Sequence, residues 1–140
     1  MKLTVTLLNL GLYDRDPWPE QPSGLRAIAL DYFTEMRGLV SSLMQIFALA
    51  LDLPSEFFDA KTDKPEVILR LTNYPPVNFV SRQYGTGEHT DYGTLTILWS
   101  NDSTGLQVKN SYGEWIDIYA PPESFIINIG DLMMRWTNGH

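Results

Sequence analysis

Cysteine is absent from the 140 residues, which excludes disulfide scaffolds, zinc–thiolate sites, iron–sulfur clusters and a cysteine nucleophile. Histidine is nearly so. Only His89 and His140 occur, and any imidazole-based metal or acid–base site must use one of them. Cations are also few, 10 Lys and Arg against 17 Asp and Glu, for a formal net charge of −7. Nucleic acid and anionic membranes both demand clustered Lys and Arg, so neither is expected as a partner. No apolar run approaches the roughly 18 residues that span a bilayer. Leu3–Leu12 comes nearest to a signal-peptide core, but Thr4, Thr6 and Asn9 interrupt it and no small-x-small cleavage site follows. A cytoplasmic, reducing location is the expectation.

What is present suits a packed domain. Apolar residues make up 44% of the chain and aromatics 12%, and the length suffices for one ordinary domain but not two. The front half reads as helical. Beyond Pro17, Pro19 and Pro22, Ser23 is placed as an N-cap, and Leu25, Ile28, Tyr32, Met36, Leu39, Val40, Leu43, Phe47 and Leu51 recur at steps of three and four. That period predicts an amphipathic, core-packing helix ending before Pro54, with a short second helix from Ser55 to Phe58 capped by Ser55.

After the polar stretch Lys61–Lys64 the pattern changes to strands: Val67–Tyr74 closed by Pro75-Pro76, Thr94–Trp99, and Ser124–Ile129 with Gly130-Asp131 as the next turn. Leu106–Lys109 and Glu114–Ile118 flank Asn110-Ser111-Tyr112-Gly113, a hairpin turn. Helix followed by short strands with Gly and Pro punctuation predicts an α+β fold, with helices on one side of an antiparallel sandwich.

Chemistry concentrates in Gly85-Thr86-Gly87-Glu88-His89-Thr90-Asp91-Tyr92-Gly93, directly ahead of the strand at Thr94. His89 and Asp91 are two apart, so on an extended segment their side chains share a face, with Cα atoms roughly 6.5–7 Å apart. One neutral nitrogen donor and one hard anionic oxygen suit Fe(II) with open positions for substrate and dioxygen. Glycines at 85, 87 and 93 let the backbone turn tightly there. Taken alone, His-x-Asp is a weak signal, and an exposed histidine bonded to an aspartate is the plain alternative.

The surrounding blocks are more specific. Leu69–Pro76 (Leu-Arg-Leu-Thr-Asn-Tyr-Pro-Pro), Gly87–Leu98, Gly105–Val108, Trp115, Ile126–Met133 (Ile-Ile-Asn-Ile-Gly-Asp-Leu-Met) and Trp136-Thr137-Asn138-Gly139 follow one another in an order that closely resembles the isopenicillin N synthase-like family of Fe(II)- and 2-oxoglutarate-dependent oxygenases. The resemblance runs from about Trp18 to the end. It implies a double-stranded β-helix, or jelly roll, fronted by the long helix, with residues 1–17 an irregular or non-family segment and 18–140 part of the oxygenase domain. It implies Fe(II) as metal, 2-oxoglutarate as cosubstrate, and dioxygen and a small organic molecule as reactants. By position in the family's blocks, His89 and Asp91 are two of three iron ligands and Tyr74 helps hold the far carboxylate of 2-oxoglutarate. On its own, Tyr74 reads equally well as a core aromatic ending a strand.

Other matched residues take structural readings: Gly105 and Gly113 as turn glycines, Trp115 as sheet packing, Asn128, Gly130 and Asp131 as the turn leaving a strand, and Arg70 and Arg82 as solvated surface. The family's second iron histidine and its Arg-x-Ser block do not occur in the sequence. His140 occupies the variable position after the Thr-Asn-Gly block and is not expected to ligate. The expectation is therefore a truncated jelly roll, a fragment that alone is catalytically poor and prone to aggregation. Since some family members use iron and dioxygen without 2-oxoglutarate, that choice stays open here. Two further readings remain: an inactive jelly-roll remnant or binding module, and a carbohydrate-binding jelly roll using Trp99, Trp115 or Trp136, which leaves the His89-Thr90-Asp91 block unexplained.

Overall fold

The computed structural model describes residues 2–7, 18–63, 65–72, 74, 85–100 and 105–139. They belong to two compact units, Met1–Gln83 and Tyr84–His140.

In the first unit, β1 (Lys2–Leu7) pairs antiparallel with β2 (Val67–Thr72), Lys2 opposite Thr72 and Leu7 opposite Val67. Within the segment expected to be irregular or outside the family, residues 2–7 form a regular strand. The helix α1 covers Leu25–Ala50. Its cap is Gly24 rather than Ser23: the Gly24 carbonyl accepts the first helical bond, from Ile28 N–H at 3.1 Å, and Gly24 takes the left-handed conformation at φ 84°. No side chain caps this end. Glycine reaches that conformation without a Cβ penalty, which explains the one-residue displacement of the start.

The covered face of α1 keeps most of the expected stripe, with Leu25, Met36, Leu39, Val40, Leu43 and Phe47 half-buried. Ile28, which is 70% exposed, and Tyr32 fall outside it, and Ala29, Met44 and Ala48 are its most buried members. Residues 29, 33, 36, 40, 44, 47 and 48 still follow the helical period, and small Ala side chains allow the closest approach at the seam. The helix ends before Pro54, as expected. Leu53 N–H donates to the Ala48 carbonyl at 2.9 Å and Asp52 N–H to Leu49 at 3.1 Å, with Asp52 left-handed at φ 55°, a Schellman closure.

The second helix expected at Ser55–Phe58 is replaced by a turn and a 3₁₀ segment, Asp59–Lys61. Ser55 donates its hydroxyl to the neighbouring Glu56 carboxylate at 2.7 Å and caps nothing. That bond holds the Glu56 carboxyl below the ordinary glutamate value.

In the second unit, β3 (Leu95–Leu98) pairs antiparallel with β6 (Ile126–Ile129), Leu95 opposite Ile129. Between them in sequence, β4 (Gln107–Lys109) and β5 (Trp115–Asp117) form the expected hairpin. Asn110 braces its turn by accepting backbone N–H bonds from Tyr112 and Glu114, each 2.9 Å, on its side-chain oxygen. Gly113, at φ 82°, is the turn glycine foreseen for the hairpin, and Gly105 also takes a positive φ, 125°. Trp115 opens β5 opposite Lys109, whose ammonium lies 5.4 Å from its ring centre, and it is 45% exposed.

In place of the turn expected at Gly130-Asp131, Asp131 opens the helix α2 (Asp131–Trp136). α2 buries Met133 and closes by the same Schellman pattern as α1, with Asn138 left-handed and Gly139 N–H bonded to the Met134 carbonyl at 2.9 Å. Among the described residues the strands form three two-stranded antiparallel sheets, so the architecture seen is α+β with paired antiparallel strands. No helix among these residues is long and apolar enough to cross a membrane. The expectations for Pro75-Pro76, Arg82 and His140 lie outside the described residues.

Candidate metal centre

The segment from Gly85 to Thr94 has no regular structure and leads straight into β3. It is fastened to α2 through its backbone. Asp131 N–H donates to the Asp91 carbonyl at 2.8 Å, and Leu132 N–H is shared between the Tyr92 and Gly93 carbonyls at 3.2 Å each. Gly130 N–H donates to the Thr94 carbonyl at 3.0 Å, continuing the β3–β6 ladder to the start of the helix. Gly130 is buried, and a Cβ there would collide with the Gly93 carbonyl and lie 2.8 Å from that of Asp91. Only glycine admits this approach.

On this support the side chains of His89 and Asp91 meet, Nε2 to Oδ1 at 3.6 Å, with the imidazole 59% exposed and the carboxylate 26%. The other ring nitrogen, Nδ1, lies 2.8 Å from the Gly87 carbonyl oxygen. A carbonyl only accepts, so Nδ1 carries the proton and donates it there. In the neutral ring the Nε2 lone pair is then turned toward a carboxylate that also has only lone pairs to offer. Two acceptors facing one another gain nothing until a cation or a proton stands between them.

The pair fits a metal ion. Two donors each about 2.1 Å from one ion can be no more than about 4.2 Å apart, and 3.6 Å lies inside that limit. Neutral nitrogen with hard anionic oxygen is a donor set suited to Fe(II). Among the described residues no group of three or more His, Asp or Glu side chains converges on a common point, so these two stand as a pair.

The residues between and beside the pair point elsewhere. Thr90 donates its hydroxyl to the Asp131 carboxylate at 2.8 Å, and Glu88 is bridged by the Lys109 ammonium of β4 at 3.1 Å. Asp131 therefore bonds a side chain 41 positions away rather than the nearby backbone amides expected of it. Nothing in the linear pattern signals that bond.

Tyr74 stands just past β2 in the first unit and is 59% exposed, so it is not a core aromatic. His89 and Asp91 belong to the second unit. Arg70 lies on β2 opposite Thr4 and is exposed, in keeping with a solvated role.

Residues 65–140 match the sequence profile described as the 2OG-Fe(II) oxygenase superfamily. The chain is 37% identical over 130 residues to homoarginine-6-hydroxylase 2-ODD-C23 of Glycine max, covering 87% of this chain and 39% of that protein. It is 37% identical over 116 residues to the 2-oxoglutarate-Fe(II) type oxidoreductase ppzC of Metarhizium majus, covering 76% of this chain and 31% of that one. Its structure resembles the crystal structure of a full-length Neurospora crassa protein in complex with alpha-KG, with a TM-score of 0.89 and 30% identity over 97% of this chain and 44% of the Neurospora chain. The chain thus spans less than half the length of these relatives.

Proposed function

Since this chain belongs to the 2OG-Fe(II) oxygenase superfamily, we propose that it is the part of a non-haem Fe(II)- and 2-oxoglutarate-dependent dioxygenase that supplies two iron ligands, His89 and Asp91. Fe(II) and 2-oxoglutarate are the family's cofactor and cosubstrate. On this reading residues 18–140 are part of a double-stranded β-helix with α1 packed on one side. The observation that carries it is the orientation of one ring: Nδ1 committed to Gly87, and Nε2 left facing the Asp91 carboxylate at 3.6 Å.

The residues act as follows. Gly87 fixes the histidine tautomer, so the free lone pair stays on the nitrogen nearest Asp91. Asp91 contributes one negative charge to the donor set, which would leave a bound dication net positive. Tyr74, through its phenol O–H, donates one hydrogen bond to the distal carboxylate of 2-oxoglutarate. Bound iron would supply the redox chemistry, in which dioxygen oxidises a small organic substrate while 2-oxoglutarate becomes succinate and CO₂. The second histidine and the Arg-x-Ser block that the family resemblance implies are to be sought in the remaining length of the full protein.

The test is succinate formation from 2-oxoglutarate by the full-length protein, with and without Fe(II). His89→Ala and Asp91→Ala are each expected to abolish it, by at least about 10³-fold if a ligand is lost. Undiminished turnover in either variant overturns the assignment.

A further inference from the structure

Asp131 makes two bonds to the segment that carries the proposed ligands, and both fall between or on them. Its backbone N–H holds the carbonyl of Asp91 at 2.8 Å, and its carboxylate holds the hydroxyl of Thr90 at 2.8 Å. Thr90 is the residue between His89 and Asp91. Thr90 is thereby fastened to α2 while, on either side of it in sequence, Nε2 of His89 and Oδ1 of Asp91 come within 3.6 Å.

We infer that Thr90 and Asp131 are positioning residues for the metal pair, setting the separation of the His89 and Asp91 donors without touching the ion. Asp131 is not a third ligand, because its carboxylate is occupied by Thr90 and does not converge with the other two. The neighbouring Glu88–Lys109 bridge ties the segment to β4 from outside the pair, since neither of its residues lies between His89 and Asp91. Thr90 has a second property that suits the role: it is itself exposed, so its loss opens no cavity. The inference rests on the reading of His89 and Asp91 as metal ligands.

The experiment measures Mn(II) binding, by electron paramagnetic resonance of the free ion, to the full-length protein and its variants, alongside the thermal midpoint of each metal-free protein. Thr90→Val keeps the shape and removes the donor. It is expected to raise the Mn(II) Kd by about tenfold while shifting the metal-free midpoint by no more than about 2 °C. Thr90→Ser keeps the donor and should restore wild-type affinity. Asp131→Ala should match Thr90→Val, and the double variant should bind no worse than either single one. His89→Ala separates the two claims. If His89→Ala loses Mn(II) and Thr90→Val binds within about twofold of wild type, the positioning role is overturned and the ligand assignment stands. If His89→Ala binds Mn(II) undiminished, both fall. A Thr90→Val protein whose midpoint collapses along with its affinity shows a structural role and likewise overturns the inference.

Discussion

At Gly130 the chain leaves β6 and enters α2 against the Asp91 and Gly93 carbonyls, with no room for a side chain. Its φ of −94° is one that any residue can adopt, so the need for glycine here is contact and not conformation. Gly130→Ala must push the ligand-bearing segment off the start of α2 or distort the turn itself. We expect a loss of about 3 kcal/mol of stability, read by urea unfolding of the full-length protein; a loss below about 1 kcal/mol would show that the two segments part freely. The pairing of His89 with Asp91 is legible in the sequence through their spacing of two, although the segment that carries them has no regular structure. The partner of Thr90 is not, since Asp131 is brought there by the β3–β6 pairing and by a helix beginning where the sequence suggests a turn.

Among the elements, α1 is the one whose period is plainest in the sequence and whose buried face that period does not settle. Counting large apolar residues puts Ile28 and Tyr32 on the buried face, but the seam follows Ala29, Met44 and Ala48, where small or pliable side chains allow close packing. Ile28 and Tyr32 are both exposed. Tyr32, 40% exposed, is still covered enough that burial raises its phenol above the ordinary value of 10.0. The folded state therefore favours the neutral phenol. This contribution is whole below the unfolded value of about 10 and is lost as pH rises through the higher folded one. In urea titrations carried above about pH 10, wild-type stability should fall more steeply than that of Tyr32→Phe. Parallel curves would mean that the phenolate forms without penalty. Both helix ends are legible only in outline, because Asp52 and Asn138 take the left-handed position usually given to glycine.

For the whole molecule, periodicity locates β2 to β6 to within about two residues but cannot name their partners, since alternation fixes a face and not a neighbour. The structure pairs β1 with β2 and β3 with β6, both across long stretches of chain. Large apolar side chains such as Trp99, Tyr119 and Ile129 are each about 60% exposed or more among the described residues, beyond what a small core accounts for. The nested arrangement of the strands has a kinetic meaning. The β4–β5 hairpin sits inside the connection between β3 and β6, and its closure, braced by Asn110, shortens the chain that must fold back before Leu98 can meet Ile126. β1 and β2 must close a far longer loop, from residue 7 to residue 67. Assembly should therefore run outward in time from the hairpin, through the β3–β6 pair and the ligand-bearing segment, to the β1–β2 pair last. Pulse-labelled hydrogen exchange during refolding would show amides of β4 and β5 protected before those of β3, and β2 last. Were β2 protected first, loop length would not set the order in which the strand pairs close.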